Sequence, residues 1–142
     1  MKKSVFFALL MSVIWSCSVD DNVSDEFHLE ILPIRSVEGI PNEVHYNEVY
    51  TIDYTYTRPT TCHVYNDLYY LSEGDLRTVA VISTVFNETQ GTICEPLNEE
   101  IEARSFTFHV QNNAGTYIFQ FWQGEDENGE DQFLIYEVPI IQ

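Results

Sequence analysis

Residues 49–57 alternate strictly between two side-chain rows, and this period of two restricts the chain to an extended conformation there. One row consists of Tyr50, Ile52, Tyr54 and Tyr56, and the other is mostly threonine. Successive side chains of a β-strand point to opposite faces of a sheet, whereas a helix repeats every 3.6 residues. β-branched and aromatic residues also favour a pleated surface. The pattern predicts a strand with one buried aromatic face.

The same kind of pattern recurs along the rest of the chain, and no segment outside the N-terminal leader reads as an amphipathic helix. Pro33 predicts either an edge strand or a strand switch. Residues 36–42 predict a turn or irregular crossing, residues 58–61 the end of a strand, and residues 66–67 a bulge. About seven strands separated by turns predict one all-β domain, a two-sheet sandwich. The expected strands are residues 27–32, 49–57, 62–71, 77–86, 101–110, 116–123 and 132–141.

One short motif refines this fold class. In residues 113–119, Asn-Ala-Gly-Thr-Tyr-Ile-Phe, an amide and a glycine precede Tyr117 at the start of the penultimate strand. This arrangement resembles the tyrosine corner of immunoglobulin-like domains. The resemblance implies an immunoglobulin-like β-sandwich in residues 27–142. Phe119 stands where antibody domains have their second core cysteine, so the intersheet disulfide of antibodies is absent.

The first sixteen residues predict an export signal. Lys2 and Lys3 precede a short apolar run, and the small residue Ser16 stands directly before Cys17. A basic start, an apolar core and a small residue at the cleavage site are typical of a secretory signal peptide. The apolar run is too short for the roughly 20 residues that a membrane-spanning helix needs.

The end of the leader indicates how the exported chain is held. Residues 14–17, Ile-Trp-Ser-Cys, resemble the lipobox of bacterial lipoproteins, in which the cysteine is acylated after the leader is cut. The resemblance implies lipidation of Cys17 and an acidic tether at residues 17–26. Residues 18–21, Ser-Val-Asp-Asp, resemble the acidic tag of surface lipoproteins of the Bacteroidota. This second resemblance implies an outer-membrane protein that faces the cell exterior, with the periplasmic face as the alternative.

The charge balance excludes one class of partner. The chain has 23 acidic and six basic residues and a net charge of −17, which loss of Lys2 and Lys3 with the leader lowers by two. The remaining arginines are scattered, whereas nucleic-acid binding requires clustered basic residues. We therefore expect no nucleic-acid partner.

Cys62 and Cys94 are the two cysteines left once Cys17 is assigned to lipid. In an exported chain, the simplest prediction is a disulfide between them, which would stabilise the fold by roughly 3 kcal/mol. A zinc site is the rival, and His63 beside Cys62 is the one histidine near either cysteine. Adjacent residues rarely bind one ion together, so we favour the disulfide.

Candidate binding residues are aromatic. The chain has nine tyrosines, and exposed aromatic rings often recognise sugars and peptides. Trp122 is expected on the outer side of its strand, and Tyr65, Tyr69 and Tyr70 crowd another strand. Asp126, Asn128 and Glu130 form a weak calcium candidate in an acidic hairpin tip, where a solvated turn is the simpler interpretation.

No catalytic motif is present, and the histidines are scattered, so we expect no enzyme activity and no cofactor. The sequence predicts a membrane-anchored, non-catalytic binding or accessory module of a cell-surface complex, with a protein partner. The alternative is a glycan-binding accessory protein that uses exposed aromatic residues. A third hypothesis is an enzyme whose site the sequence does not reveal.

Overall fold

The computed structural model describes residues 26–89 and 91–142, so the leader, Cys17 and most of the tether lie outside the described residues. The described chain is all-β, with two sheets and nine strands, which confirms the predicted β-sandwich. It contains no helix with the length and apolar character to cross a membrane. The strands are β1 (Phe27–Leu32), β2 (Ile34–Glu38), β3 (Val44–His45), β4 (Val49–Thr60), β5 (His63–Glu73), β6 (Leu76–Phe86), β7 (Pro96–His109), β8 (Thr116–Glu125) and β9 (Asp131–Ile141).

The large sheet is built around β6. Strand β5 pairs with one side of β6. On the other side, β8 pairs with the first half of β6 and β1 pairs with its second half. The sheet continues from β8 to β9 and β3, and the small sheet has the order β2-β4-β7. The β6–β8 and β3–β9 pairs are parallel, which departs from the antiparallel sheets of immunoglobulin domains.

Pro33 stands where the chain passes from the large sheet to the small one, as predicted, because β1 pairs with β6 and β2 with β4. The prediction of an irregular crossing at residues 36–42 is wrong in its first part, where β2 runs to Glu38. The Ser36 and Thr55 hydroxyls hydrogen-bond at 2.6 Å across this pair. Residues 34–38 do not alternate cleanly in polarity, so the pattern did not indicate a strand.

The predicted end of a strand at residues 58–61 is also wrong, because β4 continues to Thr60. Its pairing with β7 shifts register between Arg58 and Thr60. Proline cannot donate a ladder hydrogen bond, and this irregularity lets Pro59 remain in the strand. The bulge predicted at residues 66–67 is confirmed by the register shift between Tyr65 and Asp67.

An aromatic cluster fills the core between the sheets. Phe108 of the small sheet packs edge-on against Tyr117 and Phe119 of the large sheet, with ring centroids 4.8 and 4.9 Å apart. Edge-to-face contacts of this kind add to the roughly 1.5–3 kcal/mol that burial of a large apolar side chain contributes. Tyr117, Phe119 and Phe121 alternate with outward-facing residues along β8, as the sequence predicted.

The tyrosine corner is present. The Tyr117 hydroxyl accepts hydrogen bonds from the backbone N–H of Gln111 at 3.1 Å and of Asn112 at 2.9 Å. It therefore satisfies two donors of the β7–β8 connection while its ring remains in the core. Gly115 has a φ of +107°, a conformation that suits glycine and turns the chain into β8.

The predicted disulfide is also present and joins Cys62 to Cys94, whose Cα atoms are 5.1 Å apart. Cys62 is buried immediately before β5, and Cys94 lies in the loop that precedes β7. The Thr61 N–H donates to the Glu95 carbonyl at 2.9 Å beside the bridge. The bridge thus fastens the long β6–β7 loop to the β4–β5 turn.

Tyr117→Phe tests the corner, because it removes the hydroxyl and leaves two backbone donors without an acceptor. We expect the free energy of unfolding to fall by about 1–3 kcal/mol in urea titrations. Tyr136→Phe, on the neighbouring strand β9, is the matched control and should cost less. Equal losses in the two variants would contradict the role of the corner.

Candidate functional site

The four aromatic residues proposed for binding do not lie on one surface. Trp122 and Tyr69 are on the outer face of the large sheet, because their strand partners, Phe133 and Ala80, belong to the outward rows. Tyr70 is on the opposite side of β5 from Tyr69. Together with the half-buried Tyr65, it belongs to the rows that point toward the small sheet.

Most of the outer face of the large sheet is apolar. Leu29 and Ile135 on this face are 58% and 56% exposed. An antiparallel sheet with a solvated face normally shows polar residues there. Large exposed apolar patches are often interaction surfaces. We call the apolar residues in the outward rows of the large sheet the outer apolar face. Its members are Phe27, Leu29, Ile31, Val64, Tyr69, Leu71, Leu76, Ala80, Ile82, Phe86, Ile118, Trp122, Phe133, Ile135 and Pro139.

The outer face of the small sheet has the opposite character. Its rows pair polar residues with each other, as at Thr51 with Thr107 and Asp53 with Ser105. Val49 and Ile101, at opposite ends of these rows, are its exposed aliphatic residues. One face of the sandwich is therefore suited to water and the other is not.

A groove of about 410 Å³ crosses the outer apolar face at Trp122, with Ile31, Tyr69 and Phe133 in its walls. The Trp122 Nε1–H donates to Asp131 Oδ1 at 2.7 Å, which fixes the indole ring. A register shift between Trp122 and Glu125 lies at the end of β8.

The charged residues of this face are all acidic. Asp67, Glu73 and Glu137 lie in its outward rows, and Glu125 and Asp131 line the groove. The arginines that the structure describes lie elsewhere. Arg35 is on β2, and Arg58 and Arg104 form ion pairs with Glu102 at 3.9 and 3.3 Å. Arg77 is buried on the inner side of β6. The outer apolar face thus carries a negative potential.

Tyr65 has a packing role between the sheets. Its hydroxyl lies 3.2 Å from that of Tyr54, and the Arg104 guanidinium lies 4.4 Å from the centre of its ring. Burial, together with a hydrogen bond to Glu102, raises the pKa of the neighbouring Tyr56 to about 12. The Tyr56 hydroxyl therefore remains protonated at neutral pH and donates a hydrogen bond to Glu102.

A second polar network was not expected from the sequence. The Thr60 hydroxyl lies 2.8 Å from His63 Nδ1, and Glu30 Oε2 lies 3.0 Å from His63 Nε2. A hydroxyl, an imidazole and a carboxylate in a row resemble the connectivity of hydrolytic sites. Here both ring nitrogens of the buried His63 are occupied, and Thr60 also accepts the Cys62 N–H. The network joins β1 to the β4–β5 turn.

The calcium candidate residues form a hydrogen-bonded turn. Asp126 Oδ1 accepts the backbone N–H of Asn128 at 2.8 Å and of Glu130 at 3.0 Å. These two hydrogen bonds lower the pKa of the Asp126 carboxyl below its ordinary value of 3.8, and the bond from Glu130 has the larger effect. Among residues 26–89 and 91–142, no cluster of three or more His, Cys, Asp or Glu side chains is arranged to hold a metal ion.

Comparisons of the chain with protein-family models, with curated proteins and with solved structures find no match. Functional inference therefore depends on the surfaces described above. The outer apolar face and its groove are the most distinctive of them. Sequence alternation indicated the outward position of Trp122, but it did not indicate which strands would lie beside it.

The carboxylate of Asp126 should stabilise the hairpin in a pH-dependent way. Because the pKa of Asp126 is lowered in the folded state, its contribution to the free energy of unfolding is present above pH 3.8. This contribution is lost as the pH falls through the lower, folded-state pKa. Asp126→Asn should therefore lower the urea midpoint at pH 7, and this difference from wild type should shrink at pH 3. Glu127→Gln, at the same tip, is the control. A difference for Asp126→Asn that is constant with pH would contradict this account.

Proposed function

We propose that this chain is a lipid-anchored, non-catalytic binding module of a bacterial outer membrane that holds a protein partner on its outer apolar face. The observation that carries the proposal is the contrast between the two outer faces of the sandwich. One exposes Leu29, Ile31 and Ile135, while the other exposes mainly hydroxyl groups. Burial of exposed apolar area is the main driving force of most protein association.

The charge of this face defines the chemistry of the partner. The acidic residues of the face, Asp67 and Glu137 among them, have no basic neighbour on it within the described chain. A partner with an apolar centre and a rim of Lys and Arg would match this surface. A second copy of the chain would instead bring like charges together, which opposes self-association.

The anchor is proposed from the sequence. Acylation of Cys17 would hold the domain at the membrane, since two or three acyl chains give stable attachment. The tether leads into β1, whose Phe27 belongs to the outer apolar face and packs on Phe86 with ring centroids 6.2 Å apart. The outer apolar face therefore begins where the tether ends, and we place a partner close to the membrane surface.

A glycan ligand is the second candidate, and the groove at Trp122 favours it. Its aromatic walls could stack on a sugar ring, and Glu125 and Asp131 could accept hydroxyl hydrogen bonds. The aliphatic residues around the groove have no comparable use in sugar binding. We therefore favour the protein partner.

Two double variants test the outer apolar face. Leu29→Thr with Ile135→Thr removes two exposed side chains of this face, and Val49→Thr with Ile101→Thr does the same on the small sheet. Each pair should change the free energy of unfolding by at most about 1 kcal/mol, because the positions are exposed. The first pair alone should weaken binding of the partner by about tenfold or more.

The partner can be identified by a photo-crosslinking residue at position 135 in living cells. We expect a protein whose cross-linked surface is apolar with Lys and Arg around it, and whose binding weakens with salt. Its affinity for both double variants can then be measured directly. Cross-linking to a second copy, loss of binding in both double variants, or retention of a polysaccharide alone would contradict the proposal.

Cys17→Ala should release the protein into the soluble fraction, because the thiol that would receive the lipid is absent. Cys62→Ser with Cys94→Ser is the control, which removes the disulfide and should remain with the membrane. Digestion of the domain by protease added to intact cells would support outward display, and protection would place it on the periplasmic side. An acylated Cys17→Ala protein that stays on the membrane would contradict the anchor.

A further inference from the structure

A second groove, of about 450 Å³, lies on the open side of the sandwich between an edge of each sheet. Strand β5 pairs only with β6, and β7 pairs only with β4, within the described residues. Both strands therefore present backbone N–H and C=O groups without a strand partner along this side. We call it the edge groove, and its lining includes Leu68, Tyr70, Ser72, Arg77, Phe106 and His109.

Both edges carry protection against strand addition except at this groove. Strand β5 has its bulge and Asp67 where the groove begins, and β7 has Glu99, with a φ of +50°, followed by further acids. Bulges and charges of this kind keep edges from pairing with other chains. Residues 68–72 and 105–109 carry neither an acid nor a proline. A regular, uncharged edge on each side of the groove is suited to an extended peptide.

The floor of the edge groove holds a buried cation. Arg77 is only 5% exposed, and its Nη1 donates to the carbonyls of Gly74 at 2.7 Å and Leu76 at 2.8 Å. Its guanidinium also lies 4.8 Å from the centre of the Tyr117 ring. Among the described residues, no carboxylate lies within 4.0 Å of it. A buried charge without a counter-ion is costly, so a bound anion would stabilise this arrangement.

Tyr70 adds a neutral donor next to this cation. Its ring packs against Phe106, with centroids 5.8 Å apart. Burial raises the pKa of Tyr70, and the nearby Arg77 charge and hydrogen bond partly oppose that rise. The hydroxyl therefore stays protonated at neutral pH. An arginine has five N–H donors. Arg77 donates two hydrogen bonds to backbone carbonyls, so it has further donors for a ligand.

We propose that the edge groove binds the C-terminal end of an extended peptide, which adds to the β5 edge and places its terminal carboxylate at Arg77 and Tyr70. Charge-assisted hydrogen bonds from a guanidinium to a carboxylate are among the stronger ones in proteins. The edge backbone supplies the remaining hydrogen bonds. This site lies on the opposite side of β5 from the outer apolar face, because Tyr69 and Tyr70 point to opposite sides, and the two surfaces meet at Asp67.

The position of Asp67 predicts a sequence preference. Ser72 pairs with Arg77, so the carboxylate end of the peptide lies near Ser72. Asp67 is five residues before Ser72 in β5, about 16 Å away at the rise of a strand. It also lines the groove. We expect Lys or Arg four or five residues before the peptide terminus.

A randomised hexapeptide library, in free-acid and C-terminally amidated forms, tests this site on the detergent-solubilised chain. We expect retention of free-acid peptides with a basic residue near the start, and at least about tenfold weaker binding of the matching amides. Retention of neither form, or equal retention of both, would overturn the proposal. Displacement of the peptides by glucuronate at equal concentration would overturn it in favour of an acidic sugar.

Two tyrosine variants separate binding from folding. Tyr70→Phe keeps the ring packing and removes the hydroxyl, and it should weaken binding of the selected peptide by at least about fivefold. Tyr69→Phe, the next residue on the opposite face, is the matched control and should bind as wild type does. Arg77→Lys keeps the charge but loses the planar fork, and it should also bind more weakly. Unchanged binding in both Tyr70→Phe and Arg77→Lys would overturn the assignment.

Discussion

The large sheet is apolar on both of its faces, and this constraint determines what the rest of the molecule can do. Val79 and Val81 of β6 are buried against the small sheet, while Ala80 and Ile82 lie in the outward row. Strands with apolar residues on both sides are typical of sheets that are covered on both sides. The small sheet covers the inner face. Within the described chain, no element covers the outer one, and we therefore infer a partner there.

The sequence predicted features that depend on neighbouring residues along the chain. Alternation located the long strands, Pro33 marked the change of sheet, and the motif at Tyr117 predicted a corner that the structure confirms. Pairing between distant strands was not predictable, because alternation shows which side chains share a face but not which strands are adjacent. The parallel β6–β8 pair and the separation of Tyr69 from Tyr70 both follow from such pairing.

Strand β5 connects the two proposed binding surfaces. Its outward row contributes Tyr69 and Leu71 to the outer apolar face, and its inward row contributes Leu68, Tyr70 and Ser72 to the edge groove. The two rows point to opposite sides of β5. A module of this kind could hold a partner protein on one side while it binds a peptide end on the other.

Footprinting with a photoactivated carbene tests the central claim most directly, because it labels exposed side chains whatever their chemistry. Labelling of Leu29, Ile31 and Ile135 should be strong in the purified protein and much weaker in intact cells, where the proposed partner would cover them. Val49 and Ile101 on the small sheet serve as internal references and should be labelled equally in both. Equal labelling of the outer apolar face in cells and in the purified protein would contradict this account.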